Sequence, residues 1–364
     1  MPLRILIVDD TIVYRQILSE VISSFDDIES VETAQNGALA LRYLERHKVD
    51  LVLLDVQMPV MDGIETLKNI HALYPSINVV MVSGCSKELA SITMQALRMG
   101  ALEFIRKPEG RDREENKQKI RRELKSIISI IRTRALLYSR EQVPVIPQAP
   151  PPVTVPGQGI ADRVHMRLRP RSFAIVVIGV STGGPNALAR LVSNIDASFP
   201  LPILTVQHMP PNFTAALAED LAKKSDIKVL EATENMPLSP GTMIIAKGGS
   251  HMVVRMKDGV PVIGINDEPP ENSCRPAVDV LFRSVAHTFG EKGVIALVMT
   301  GMGSDGLAGV RALKRKSCHC ITQSAPSCVV YGMPRAIDTA GLSDESVDLE
   351  NIAERLISLA RKLG

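Results

Sequence analysis

The chain contains no tryptophan, and its aromatic residues make up only 3% of 364 positions. Unpaired bases need aromatic faces to stack on, so a single-strand nucleic-acid platform is excluded. A strong charge of either sign is also missing. The net charge is +2 at pH 7, so no global field draws the chain to nucleic acid or to a membrane surface. No apolar run approaches the roughly 20 residues that span a bilayer, which excludes membrane insertion. The opening stretch MPLRILIVDD turns acidic too early for a signal peptide. Cysteine is sparse and odd in number, with five residues at 85, 274, 318, 320 and 328. That usage fits a reducing compartment and predicts a cytoplasmic protein. Cys318-His319-Cys320 invites a metal reading. In a strand, however, both thiols share one face and His319 takes the other. No second ligand pair stands at a recognisable spacing.

What is present is ordinary for a globular protein, with 45% hydrophobic and 23% charged residues. The length suggests roughly two or three domains. The most informative stretch is AIVVIGVSTGGPNAL, residues 174–188. It begins as an apolar run of the kind found in strands buried on both faces. It turns through Gly179-Val180-Ser181-Thr182-Gly183-Gly184, and Pro185 then opens a helix. Ser181 thus lies between a strand end and a helix N-terminus, where backbone N–H groups and the helix dipole favour negative charge. The letters satisfy the G-x-S-x-G nucleophile elbow. A glycine-rich turn that binds phosphate is the competing reading of this stretch.

Residues 1–109 alternate apolar runs with helical patterns. RILIVDD ends in Asp9 and Asp10, LVLLD in Asp55, VVMVS in Ser83, and LEFIRKP in Lys107 and a proline. Such alternation implies a parallel doubly wound sheet, whose ligands bind at the C-terminal strand ends. Three carboxylates in one crevice call for a cation, and hard oxygen donors suit Mg²⁺. Asp55 could then accept a phosphoryl group, with Lys107 pairing its oxygens. Residues 110–172 form a connection. A charged helical stretch carries Ile120, Leu124, Ile127, Ile128 and Ile131 on one face and reads as the last helix of the preceding domain, extended into the linker; a Pro-rich segment follows at 142–159.

In residues 173–364, His208 ends the next apolar run, ILTVQ, and Asp305 lies in a glycine-rich turn after a third run, VIALVMT. The stretch 227–266 reads as an antiparallel hairpin insertion with Gly-Gly and Asp-Gly turns. Ser181, His208 and Asp305 therefore end three strands on one sheet edge, the arrangement a Ser–His–Asp triad requires. Their order differs from the Ser–Asp–His order of α/β-hydrolases. His251 rivals His208, and Asp267 and Asp279 rival Asp305.

Residues 1–109 resemble a response-regulator receiver domain. The resemblance implies a flavodoxin-like five-stranded parallel sheet and makes Asp55 the phosphoacceptor. It assigns Mg²⁺ to Asp9, Asp10, Asp55 and the Gln57 carbonyl, and switching to Ser83, Phe104 and Lys107. The second half resembles the catalytic domain of the chemotaxis receptor methylesterases, on GVSTGGP, TVQHMPPNFT, RPAVDVLFRSVA, LVMTGMGSDGLAGV and SCVVYGMPRA. Val180, Gly84-Cys85 and Gly248-Gly249-Ser250-His251 depart from that pattern. This resemblance makes Ser181 the nucleophile, His208 the base and Asp305 the orienting acid. Thr182 supports the histidine, and N–H groups at Met302 and His208 form the oxyanion hole. No cofactor is expected for the ester chemistry.

The sequence therefore predicts two α/β units, a receiver and a doubly wound, mainly parallel catalytic domain at 173–364. The implied activity is phosphorylation-activated hydrolysis of glutamate methyl esters on chemoreceptor helices, with deamidation of receptor glutamines by the same groups. The implied partners are those methylated receptor helices and a chemotaxis histidine kinase. A catalytically silent receptor-binding adaptor is the alternative. A DNA-binding output would need a helix-turn-helix element after the linker, which the α/β pattern does not supply.

Overall fold

A computed structural model describes residues 2–108, 110, 112–140, 172–289 and 292–361, with side chains of the long helix described to residue 132. The Pro-rich linker falls outside the described residues. The N-terminal unit runs β1 (Leu3–Val8), α1 (Ile12–Ile22), β2 (Ile28–Ala34), α2 (Gly37–Leu44), β3 (Leu51–Asp55), α3 (Gly63–Leu73), β4 (Asn78–Ser83), α4 (Lys87–Arg98), β5 (Glu103–Arg106) and α5 (Arg113–Arg140). Its five strands are parallel in the order β2-β1-β3-β4-β5. The central strands β1, β3 and β4 are the apolar runs of the sequence. β2 has none, because it is an edge strand whose residues are mostly exposed or half-buried.

The boundary expected at residue 109 precedes a helix that packs on this unit. Ile120, Leu124, Ile127, Ile128 and Ile131 of α5 are buried with Leu18, Val21 and Ile22 of α1 and Leu51 and Leu53 of β3. The apolar stripe of α5 thus covers one face of the receiver sheet.

The second unit comprises β6 (Ile175–Val180), α6 (Gly184–Val192), β7 (Ile203–Gln207), α7 (Phe213–Ala222), β8 (Lys228–Glu231), β9 (Thr242–Ile245), β10 (His251–Lys257), β11 (Val260–Asn266), α8 (Val278–Phe289), β12 (Val294–Val298), α9 (Leu307–Lys314), β13 (Cys318–Gln323), α10 (Met333–Thr339), β14 (Glu345–Val347) and α11 (Leu349–Arg361). Seven parallel strands take the order β14-β13-β12-β6-β7-β9-β8. The insertion is shorter than the sequence suggested. β8 and β9 belong to the parallel sheet, and only β10 and β11 pair as an antiparallel hairpin. The four residues of β9 are all buried, as a strand covered on both faces requires. The hairpin closes at Asp258-Gly259, both with positive φ, as a two-residue Asp-Gly turn demands.

Cys318 and Cys320 lie buried in β13, and His319 points the other way to Glu345, 2.6 Å from its Oε1. Burial pushes the Cys318 thiol up to about 12. The two units also meet. One apolar cluster runs from Met94 and Leu97 of α4 to Phe213 and Leu217 of α7.

If α5 is part of the receiver core, Leu124→Ala should destabilise the N-terminal unit by about 2–5 kcal/mol, the usual cost of emptying a buried leucine site. Urea unfolding of the whole chain should show the receiver transition shifted and the transition of the second unit unmoved.

Candidate active site

β6 is the point where the order of strands reverses. β7 follows it on one side, and the much later β12 lies on the other. A crevice forms at such a switch point, beyond the C-terminal strand ends. Parallel pairing aligns Val180 with Gln207 and Val298 with Gly179. The residues just past these pairs therefore meet at one edge. Ser181 N donates to Thr300 O at 3.0 Å, and His208 N donates to Val180 O at 3.2 Å. Ladder bonds thus continue past the strands and hold the elbow. The elbow then turns at Gly183, whose φ of +78° is left-handed. A side chain there would be strained and would meet Val329 at 2.6 Å.

Three uncharged polar side chains brace the elbow from below. Gln207 Nε2 donates to Ser181 O at 3.0 Å. Gln323 Oε1 accepts from Thr300 N at 2.9 Å. Thr300 Oγ1 donates to Thr182 O at 2.9 Å. Gly301 passes so close that an added Cβ would lie 2.8 Å from Ser181 Cβ. That approach brings the Met302 turn beside the serine.

His208 Nε2 lies 2.7 Å from Asp305 Oδ2. Asp305 is buried, and its carboxylate takes four further hydrogen bonds, from Val278 N, Asp279 N, Gly306 N and Asn272 Nδ2. Burial would raise its pKa, but His208 and the Val278 and Asp279 amides outweigh it and hold the carboxyl below its ordinary value. Burial pulls the His208 imidazole down. Hydrogen bonds to Asp305 and then to Cys274 outweigh that effect and hold it up at about 9. Among the described residues no hydrogen bond joins Ser181 Oγ to His208, so the His–Asp half is assembled and the serine end is open.

The rival residues have other partners. His251 is buried, with Nε2 3.1 Å from Pro269 O and Nδ1 accepting from Ala277 N. Asp267 accepts from Ser250 Oγ. Asp279 accepts from Gly309 N and from Asn272, beside Asp305. The oxyanion-hole expectation needs one correction, because His208 N–H is committed to Val180 O. Met302 N–H makes no backbone hydrogen bond among the described residues. Thr182 differs from expectation too, since its hydroxyl bonds Glu103 of the receiver.

At the receiver edge, Asp9, Asp10 and Asp55 bring one oxygen each within 4.8 Å of one another. Lys107 Nζ lies 2.7 Å from Asp55 Oδ2 and 2.8 Å from Asp9 Oδ2. The Asp9 oxygen is buried without an aligned hydrogen bond. This hard-oxygen set fits a divalent cation. Burial raises Asp55 to about 6, against the opposing pull of Lys107. Ser83 is buried and accepts from Thr93 Oγ1 at 2.9 Å, so its hydroxyl is tied to α4. Gln57 is exposed on the loop after Asp55.

Phe104 faces the other unit. Its ring stacks on Phe213, with centroids 4.4 Å apart. Asn212 Nδ2 donates to Cys85 O and Asn186 Nδ2 to Leu97 O, both at 2.8 Å. Arg98 pairs with Asp220. The α4–β5 face of the receiver therefore packs against Thr182 and the segment just after His208. Sequence reasoning missed Gln207, Asn272 and Gln323, whose roles depend on which backbone groups the sheet leaves unpaired.

The two units match two family models, a response regulator receiver domain over residues 5–121 and a CheB methylesterase over residues 176–356. A protein-glutamate methylesterase/protein-glutamine glutaminase of Desulfotalea psychrophila is 42% identical, over 98% of each chain. The protein of that name from Trichodesmium erythraeum is 39% identical, over 99% of each. The crystal structure of the Thermotoga maritima CheB methylesterase catalytic domain matches with a TM-score of 0.50 and 38% identity. It covers 52% of this chain and 99% of that one. With relatives this similar along nearly its whole length, the chain belongs to the receiver-linked CheB family of protein-glutamate methylesterases/protein-glutamine glutaminases.

Proposed function

We propose that the chain hydrolyses γ-glutamyl methyl esters on chemoreceptor helices, and deamidates receptor glutamines, under control of its receiver. The observation that carries this reading is the His208–Asp305 pair at 2.7 Å, one strand from Ser181, beneath the receiver face that bears Phe104. Ser181 Oγ adds to the ester carbonyl while His208 takes its proton. Because Nε2 is engaged by Asp305, Nδ1 is the nitrogen available to the serine. His208 then protonates the departing methoxide, and methanol leaves an acyl-enzyme. A water molecule, deprotonated by His208, adds to that acyl group, and Ser181 leaves with the proton to restore glutamate. Ammonia replaces methanol when the substrate is glutamine. Met302 N–H is the candidate donor to the oxyanion.

In the receiver, Asp55 is the proposed phosphoacceptor, with a chemotaxis histidine kinase as phosphodonor. Asp9, Asp10, Asp55 and the Gln57 carbonyl would hold Mg²⁺, which neutralises the incoming phosphoryl charge. Lys107 then pairs with a phosphoryl oxygen instead of Asp55. Ser83 and Phe104 carry that change to the contact with Phe213, Thr182 and Asp220. No helix among the described residues is long and apolar enough to cross a membrane. The proposed site of action is the cytoplasmic face of the receptor.

Methanol release from methylated receptor membranes tests this reading. Ser181→Ala should lower the rate by at least ~10³-fold. Asp55→Asn should keep the basal rate and lose stimulation by a small-molecule phosphodonor. Serine-independent turnover would remove the proposed mechanism, and no turnover at all would favour the adaptor.

Two further outcomes follow from the geometry. Phe104→Ala removes an aromatic stack of about 0.5–1.5 kcal/mol, so the unphosphorylated rate should rise roughly 2- to 10-fold. The base must be neutral, and His208 is held up at about 9. Hence kcat/KM should climb with pH from neutrality towards that value. Cys274→Ala removes one of the groups that raise His208, so the rise should begin at lower pH. A pH–rate series on both chains measures this directly.

A further inference from the structure

Between the hairpin and α8 the chain makes a tight turn in which Glu271 and Cys274 exchange backbone hydrogen bonds at 3.1 and 2.8 Å. Asn272 and Ser273 both have left-handed backbones, with φ of +53° and +63°. Non-glycine residues adopt this region infrequently, and Asn is among those that tolerate it best. Asn272 itself is exposed, and its amide is turned toward two buried carboxylates. Its Nδ2 lies 2.9 Å from Asp305 Oδ1 and 3.0 Å from Asp279 Oδ2. The two hydrogens of one amide nitrogen can serve two acceptors at once. The same turn brings Cys274 to the His208 ring.

We propose that Asn272 is a positioning residue, whose neutral amide clamps Asp305 against Asp279 and so sets the orientation and basicity of His208. This rests on the reading of Ser181, His208 and Asp305 given above. The need for such a clamp is electrostatic. Asp305 and Asp279 are both buried carboxylates next to one another, and each disfavours ionisation of the other. A donor shared between them offsets that repulsion at Oδ1, while Oδ2 receives the imidazole together with Val278 N. Asp279 is anchored by Gly309 N at 2.6 Å, so the amide ties Asp305 to the start of α9 as well.

Other charges face this cluster. His208 approaches from the end of β7, Arg283 and Asp279 from α8, and Glu271 from the turn itself. Arg283 is bound by both oxygens of Glu271 at 2.6 Å, and His251 of β10 acts on Glu271. Asn272 is the polar group between Asp305 and Asp279 that carries no charge. An aspartate there would place a third carboxylate in the cluster and remove the shared donor.

Two variants of the full-length protein separate a clamp from a merely structural turn. Both replacements tolerate a left-handed backbone, so the turn is preserved. Asn272→Asp should raise His208 by about one pH unit, read by NMR titration of the imidazole nitrogens. The rising limb of kcat/KM for methanol release should move up equally, and the value at pH 7 should fall about tenfold. Asn272→Gly removes the donor without adding charge. It should lower kcat about tenfold, leave KM within twofold and shift the limb far less than the aspartate does.

A structural role alone would lower thermal stability in both variants and leave the His208 titration of folded protein unmoved. An unchanged titration and pH limb in Asn272→Asp would overturn the proposal, as would wild-type kcat in Asn272→Gly. The NMR titration uses no substrate. If the unmodified chain releases no methanol, the reading of the site fails, and the titration still decides the role of Asn272.

Discussion

The structure depends on parallel pairing of β6 with both β7 and β12. Three chain segments leave the sheet side by side because Val180 is in register with Gln207 and Gly179 with Val298. Each departing segment remains stitched to its neighbour for one more bond, Ser181 to Thr300 and His208 to Val180. The backbone of the serine and of the histidine is thus fixed by ladder hydrogen bonds, and the His208 ring is held in addition by Asp305. A site built this way keeps its geometry while the loops above it move. It also limits the chemistry. An N–H used in the ladder is lost as an oxyanion donor, which removes His208 N and leaves the Met302 turn.

The same edge concentrates buried negative charge. Asp305 is ionised in a buried setting only because five donors surround it. Two of those, Val278 N and Asp279 N, belong to the first turn of α8, where unpaired N–H groups and the helix dipole favour an anion. The cost falls on Asp279, whose carboxyl burial raises first and Asp305 raises further. The Asn272 amide lies where these opposed demands meet. His208 is drawn to the protonated side by the same field, so tight binding of the dyad works against its use as a base near neutrality.

Much of this was legible in the residues. The buried strands announce themselves as apolar runs, and each run ends in the residue that matters: Asp9, Asp55, Ser181, His208. The apolar stripe at 120–131 was visible as an amphipathic helix and read as the receiver's last, although the residue-109 boundary left it outside the unit whose sheet it covers. The edge strand β2 was hidden because half of its surface faces water and dilutes its pattern. β9 was read as part of an insertion because four apolar residues between turns suit a hairpin or a parallel strand equally. Only pairing with β7 separates the two. Gln207, Gln323 and Asn272 carried no sequence signal, since their function is to satisfy particular backbone or carboxylate groups that exist only after folding. Thr182 was assigned to the histidine by resemblance, and in this structure its hydroxyl faces Glu103 instead.

The interface between the units has the character of a contact meant to be broken. It combines an apolar cluster of α4 and α7 side chains with one aromatic stack, two amide-to-carbonyl bonds and an ion pair that is partly open to solvent on the arginine side. The polar terms are individually small, each neutral hydrogen bond adding about 1 kcal/mol. A reversible switch requires a small net balance, because phosphorylation can shift it only by its own preference for one arrangement. Glu103 of β5 also lies at this contact. Burial raises its carboxyl, opposed by hydrogen bonds from the Thr182 hydroxyl and the Phe104 amide. Phe104 is the next residue in the chain, so the stack on Phe213 and the bond to Thr182 are made by adjacent residues of one short strand. A shift of β5 on phosphorylation would therefore bear on both contacts at once.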